Sequence, residues 1–186
     1  MKLTTREIIL CGLFAALVSI FAQISIPLPF TTVPLTLQIF GIAITGLILG
    51  SKCAFISTLI YLILGGIGVP VFAQFSAGIG VLFGPTGGYL LAYPLMAFII
   101  GYIKEKSNSG ILTAISMIIG LAVVYALGTV MFSLVTGNTI INSLLYCVVP
   151  FVAVDLLKLV LAYIIGETVS KRLYSTLNLA IEKMAR

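Results

Sequence analysis

A carboxylate and an ammonium stand one helical turn apart in an otherwise apolar run: Asp155 and Lys158, within Val152-Ala153-Val154-Asp155-Leu156-Leu157-Lys158-Leu159-Val160. A spacing of three puts both side chains on one face of a helix. Together they offer an acceptor beside a donor, which suits a small ligand presenting N–H and C=O groups, or a carboxylate for the lysine. A charge near mid-membrane costs at least about 2.5–3.5 kcal/mol, so such residues face a bundle interior. The pair could also serve as internal glue, although buried ion pairs often add little net stability. Most catalytic chemistry lacks its parts, and a Ser-Lys dyad using Lys158 would need a neutral lysine, which Asp155 beside it opposes. There is no histidine, which removes the commonest general base and metal ligand. Asp155 is the only aspartate, so an aspartyl dyad is impossible. No glycine-rich stretch, Gly78-Ile79-Gly80-Val81-Leu82-Phe83-Gly84 included, is followed by the lysine of a phosphate-binding loop. Binding is expected, and enzyme activity is not.

The elements that must hold this pair are readable from composition. Of 186 residues, 61% are apolar and 8% charged, against roughly 45–50% and about 25% in soluble domains. The excess has to face lipid. The apolar runs predict an all-α integral membrane protein with six transmembrane helices at 8–25, 35–50, 53–66, 89–103, 111–135 and 143–166. They form one membrane domain. Lys2 and Arg6 ahead of an apolar run imitate a signal peptide, but no Ala-x-Ala-like site follows, so the run reads as the first span. After the sixth span, Val169, Leu173, Leu177, Ala180, Ile181 and Met184 recur at helical spacing, which predicts an amphipathic tail over 169–186.

Charge sets the orientation. Of ten basic residues only Lys158 lies off one side of the six-span layout; the opposite loops, 26–34, 68–88 and 136–142, carry no charge. The positive-inside rule then puts both termini in the cytoplasm. Cys11, Cys53 and Cys147 are far apart in apolar runs and read as buried thiols.

Two further stretches could bind. Residues 68–88 are rich in glycine, contain Pro70 and Pro85, and carry Val71, Phe72, Phe75 and Phe83 without a charge. This is too apolar for a surface loop and too broken for a helix. It reads either as a lid over a ligand pocket or as a re-entrant segment packed for shape. Its last residues, Gly84-Pro85-Thr86-Gly87-Gly88, open the fourth helix, where free N–H groups suit a carboxylate. Gln38 and Gln74 could each read a polar edge of a ligand, or be satisfied internally. The first helix bears small residues four apart, Gly12 and Ala16, and Cys11, Ala15 and Ser19. Such faces permit close helix approach in lipid, either within the bundle or to another membrane subunit.

Three stretches together carry a resemblance: Ile26-Pro27-Leu28-Pro29-Phe30 continuing to Val33-Pro34-Leu35-Thr36-Leu37-Gln38; Gly68-Val69-Pro70-Val71-Phe72-Ala73 continuing to Gly84-Pro85-Thr86-Gly87-Gly88-Tyr89; and Asp155-x-x-Lys158. Their order and content resemble the BioY family, the biotin-specific substrate-binding (S) components of bacterial energy-coupling-factor (ECF) transporters. The resemblance implies high-affinity capture of biotin from outside, in a pocket beneath the first and third extracellular-side loops. Asp155 would take the ureido N–H groups and Lys158 the ureido C=O or the carboxylate. Tyr89 and the loop aromatics would cover the thiophane ring and tail, with Gln38, Gln74, Phe75, Thr86 and Gly87 as further contacts. The implied partners are a transmembrane coupling (T) subunit, docked on the first helix, two ATPase subunits and the lipid bilayer of the bacterial plasma membrane. No nucleic acid, metal or cofactor is expected.

Overall fold

Our computed structural model describes residues 3–107 and 109–184, with the side chains of 171 and 173–184 left undescribed. Apart from one two-stranded hairpin it is helical. Helix α1 (Thr5–Gln23) starts on a capping box in which Thr4 and Glu7 satisfy each other's backbone N–H. The three prolines of 26–34 do not make a plain loop. They lie in or beside an antiparallel hairpin, β1 (Ser25–Leu28) with β2 (Thr31–Thr36). Its register slips between Ile26 and Leu28, at Pro27, which has no N–H to give the ladder.

Helix α2 (Gln38–Gly66) covers what the sequence divides into a second and a third span. It is two helices in one run: Gly50 has φ 75° and ψ 176°, and the chain reverses there. The proof is a contact: Gln38 Nε2 donates to the Tyr61 hydroxyl at 2.6 Å across 23 residues, which a straight helix would hold about 35 Å apart. The turn is therefore at Gly50, one residue before the predicted Ser51-Lys52. Gly50 is needed for its left-handed φ and because a Cβ would lie 2.1 Å from Glu105 Oε1. That carboxylate accepts from the backbone N–H of Ser51 at 2.8 Å and from its hydroxyl at 2.7 Å. It thus caps the returning half of α2.

After a 3₁₀ turn at Ala73–Phe75 and a short α3 (Ile79–Leu82) come α4 (Gly87–Lys106) and α5 (Gly110–Thr136). The predicted sixth span, 143–166, is not one helix. It is α6 (Ile140–Cys147), a break at Val148, and α7 (Val149–Met184). Pro150 causes the break, since it has no N–H for the preceding turn yet is tolerated in the first turn of α7. The backbone of α7 runs on through the predicted tail as far as Met184; the two faces of that tail, and its last two residues, lie outside the described residues.

Helix α2 packs against α1, α4 and α7, and α4 against α5. Tyr61, Phe72, Met96, Ile100 and Met117 are fully enclosed, while Ile8, Leu13, Ile20, Ile111, Ile118 and Ile164 point outward. Among the described residues, five helices (α1, α2, α4, α5 and the Val149–Ser170 part of α7) are long and apolar enough to cross a membrane. Charge gathers at one end of the bundle, where Lys104 pairs with Glu167 and Glu105 holds Ser51. The hairpin and the 67–86 segment lie at the other end.

Both Gly50 and Gly137 have left-handed φ, but a Cβ at Gly137 meets open space. Gly137→Ala should cost only the backbone penalty of about 1–2 kcal/mol. Gly50→Ala should lower the thermal midpoint further, as measured by melting in detergent, because φ 75° with ψ 176° is essentially confined to glycine and Glu105 must also be displaced. Equal shifts would contradict both causes.

Candidate functional site

Asp155 and Lys158 fall about 9 and 14 Å along α7 from its start. They are 4% and 6% exposed, and Lys158 Nζ donates to Asp155 Oδ1 at 2.7 Å. The other carboxylate oxygen, Oδ2, accepts from the Tyr125 hydroxyl of α5 at 2.6 Å. Nothing in the sequence spacing links Tyr125 to Asp155; the one available signal was that a tyrosine inside an apolar helix needs a partner for its hydroxyl.

Above the pair is a cavity of about 210 Å³ at the uncharged end of the bundle. Its floor is Asp155, Lys158 and Tyr125. Its walls include Gln38 and Ile39 of α2, Tyr89, Leu90 and Tyr93 of α4, and Phe151 of α7. Its roof comes from β2, through Thr32, Val33, Pro34 and Thr36, and from Phe72, Ala73, Gln74 and Ser76. Val81, Thr86, Val124 and Cys147 complete the lining.

The structure thus brings Gln38, Gln74, Thr86, Tyr89, Asp155 and Lys158 together around one space, although 120 residues of chain separate Gln38 from Lys158. Gln38 is engaged at both ends of its carboxamide. Its Nε2 donates to Tyr61, and its Oε1 accepts from the Thr36 hydroxyl at 3.0 Å and the Tyr93 hydroxyl at 3.4 Å. It ties β2 to α4 and fixes Thr36 of the roof and Tyr93 of the wall. Tyr89 also braces the architecture, because its hydroxyl donates to the Cys147 carbonyl at 3.1 Å, a group at the α6–α7 break. Its ring lies over Gly128, where a Cβ would come within 2.4 Å.

Two expected contacts do not line the cavity. Phe75 is 70% exposed and points away. Gly87 is buried in the turn that opens α4: a Cβ there would lie 1.9 Å from the Leu82 carbonyl oxygen, and its N–H donates to Gly84 O at 3.0 Å. That donor is spent within the turn and is not free for a ligand. Phe72 occupies the place expected of Phe75. It is 1% exposed and packs edge-to-face on Tyr61 at 5.4 Å. Gln23, which the sequence did not single out, reaches the roof through hydrogen bonds to the 71–75 segment. The small residues of α1 divide between two faces. Cys11 and Ala15 are buried and Ser19 is half-buried, with Cys11 Sγ 3.4 Å from Cys53 O; Gly12 and Ala16 are exposed on the outer face. All three cysteines are buried and free.

The BioY family model matches residues 1–175. This chain belongs to the BioY family. It is 41% identical over 162 residues to "Probable biotin transporter BioY" of Pyrococcus horikoshii, covering 87% of this chain and 94% of that one. It is likewise 41% identical over 166 residues to "Biotin transporter BioY" of Thermotoga maritima, at 89% and 96% coverage. The fold matches a crystal structure described as the S-component for biotin from an ECF-type ABC transporter, with a TM-score of 0.84 and 28% identity over 91% of this chain and 95% of that one. With several long apolar helices, this BioY chain is a multi-pass membrane protein.

The ion pair makes a stability prediction independent of any ligand. Lys158→Gln leaves Asp155 as a buried charge without its counter-ion, at a cost of about 3–5 kcal/mol. Asp155→Asn combined with Lys158→Gln removes both charges and should recover most of that loss in a detergent melting experiment. Simple addition of the two single effects would show that the charges are not coupled.

Proposed function

We propose that this BioY chain is a membrane receptor that captures biotin outside the cell and passes it inward as the S component of an ECF transporter. The observation that carries the reading is a buried acceptor–donor pair opening onto a roofed cavity, in a chain of this family. Biotin is a flat ureido ring fused to a thiophane ring, with a valerate tail ending in a carboxylate. A carboxylate has about four lone-pair positions and an ammonium three N–H groups. Within the site, Asp155 spends two acceptor positions and Lys158 one donor. The remainder suits one ureido N–H on Asp155 and the ureido C=O on Lys158, while the second N–H, which points away on the other side of the C=O, turns to the cavity wall. The apolar rings of Phe72, Tyr89 and Tyr93 then cover the thiophane and tail. The tail carboxylate reaches the Thr32 hydroxyl and the Gln74 carboxamide of the roof, since the hydroxyls of Thr36 and Ser76 already donate to Gln38 Oε1 and Ala73 O.

In this reading the membrane is crossed six times, by α1, the two halves of α2, α4, α5 and the α6–α7 pair. The charged end is cytoplasmic and both termini lie inside. Each half of α2 is shorter than the roughly 20 residues of a full span, which leaves room above it for the roofed site. The chain carries no ATP-binding motif, so energy comes from two ATPase subunits through a T subunit. Gly12 and Ala16 offer that subunit an outward small-residue face on α1, whereas Cys11, Ala15 and Ser19 serve packing within the bundle.

Titration of labelled biotin into purified protein should give saturable binding at one ligand per chain, displaced by desthiobiotin and untouched by thiamine. Asp155→Asn keeps the shape and should weaken binding about a hundredfold. Displacement by thiamine would favour a sibling vitamin receptor, and no binding by folded protein would favour a structural subunit. Orientation is tested separately. A cysteine placed at Phe30 should react with an impermeant maleimide in intact cells, and one placed at Lys106 only after permeabilisation. The reverse pattern would invert the topology.

A further inference from the structure

The roof segment between Pro70 and Gly78 has an internal problem. Gln74 and Phe75 are consecutive non-glycine residues in the left-handed region, at φ 57° and 55°. Each costs roughly 1–2 kcal/mol in that conformation, and such geometry persists only where surrounding contacts over-determine it. It also sets what the two side chains do: Gln74 lines the cavity while Phe75 is turned out.

The segment is held from two sides. From α2, Phe72 is sunk into a slot over Gly65, where a Cβ would lie 2.0 Å from its ring, and Gly78 N–H donates to Gly65 O at 2.7 Å. These contacts fix the flanks. The left-handed pair itself is gripped from a different element. Gln23, the last residue of α1, directs its Nε2 at Phe72 O (3.0 Å) and Val71 O (3.2 Å), and its Oε1 accepts the N–H of Phe75 at 2.9 Å. The same Nε2 lies 3.3 Å from Ser19 O of its own helix. One carboxamide thus satisfies both sides of the strained turn, and it does so from a helix that is not adjacent to the segment in sequence.

We propose that Gln23 is a positioning residue for ligand retention: it latches the 71–75 segment over the cavity and sets how long a captured ligand stays. This rests on the receptor reading above. The roof is then closed onto α1, whose outer face carries Gly12 and Ala16, so the element that holds the site shut also faces away from the bundle.

The experiment measures association and dissociation of labelled biotin, together with amide hydrogen exchange of the 71–76 segment, on the full chain in nanodiscs. Gln23→Ala removes the donor and the acceptor. Gln23→Glu keeps the acceptor for Phe75 but sets a carboxylate oxygen against two carbonyls. Both should speed dissociation about tenfold or more, the latch being worth more than one ordinary hydrogen bond. Association should change little, and exchange at Phe75 should rise. Phe75→Ala, which leaves the gripped backbone N–H in place, should retain ligand like the wild type. Unchanged dissociation in both Gln23 variants would overturn the proposal, as would a parallel loss of association and retention. Should neither variant fold, the wild type decides: rapid exchange of the Phe75 amide contradicts the latch, and protection supports it. Failure of the wild type to bind biotin sinks the receptor reading, while the exchange data still judge the latch.

Discussion

A carboxylate and an ammonium inside an apolar bundle must be enclosed by groups that replace water, and this requirement shapes everything around α7. Asp155 is met by Lys158 on its own helix and by Tyr125 from α5. Tyr89 and Tyr93 stand beside them on α4, one hydroxyl given to the broken backbone at Cys147 and the other to Gln38. The hydroxyls of Tyr125, Tyr89 and Tyr93 are each tied to a different element, which lends the buried polar network rigidity. A cavity is left where two more polar partners can enter.

The roof follows from the same constraint. A pair open to bulk water would be worth little, and a pair sealed by protein could bind nothing. The hairpin and the 70–78 segment cover the opening without a charged residue. The 70–78 segment is anchored by single side chains, Phe72 over Gly65 and Gln23 across the left-handed turn. At the far end the charged residues serve a different purpose: Glu105 caps the helix that returns from Gly50, and Lys104 and Glu167 join α4 to α7. The bundle is braced where it is charged and adaptable where it is not.

Much of this was legible in the sequence because lipid imposes simple rules. Length and apolarity mark the helices, and the lone charges at 155 and 158 mark the floor of the site. What could not be read depends on geometry that spacing does not encode. Gly50 reverses the chain through a φ that no hydropathy window reports. Pro150 splits the sixth segment, although a proline near a helix start is ordinarily tolerated. Phe72 and Phe75 are equivalent as letters, and only the left-handed pair at 74–75 decides that one fills the site and the other leaves it. Tyr125 and Gln23 act across 30 and about 50 residues respectively, so no local pattern could have singled them out.

Whether Asp155 reads a ureido N–H group of biotin is tested most directly by a cycle that crosses protein with ligand. Affinities would be measured for biotin and for a ureido N-methylated analogue, each on wild-type protein and on Asp155→Asn. If the carboxylate accepts that N–H group, methylation there should weaken binding to the wild type about a hundredfold but add little further loss in the variant, because both changes remove the same contact. Losses that simply add would mean that Asp155 holds the bundle together without touching the ring.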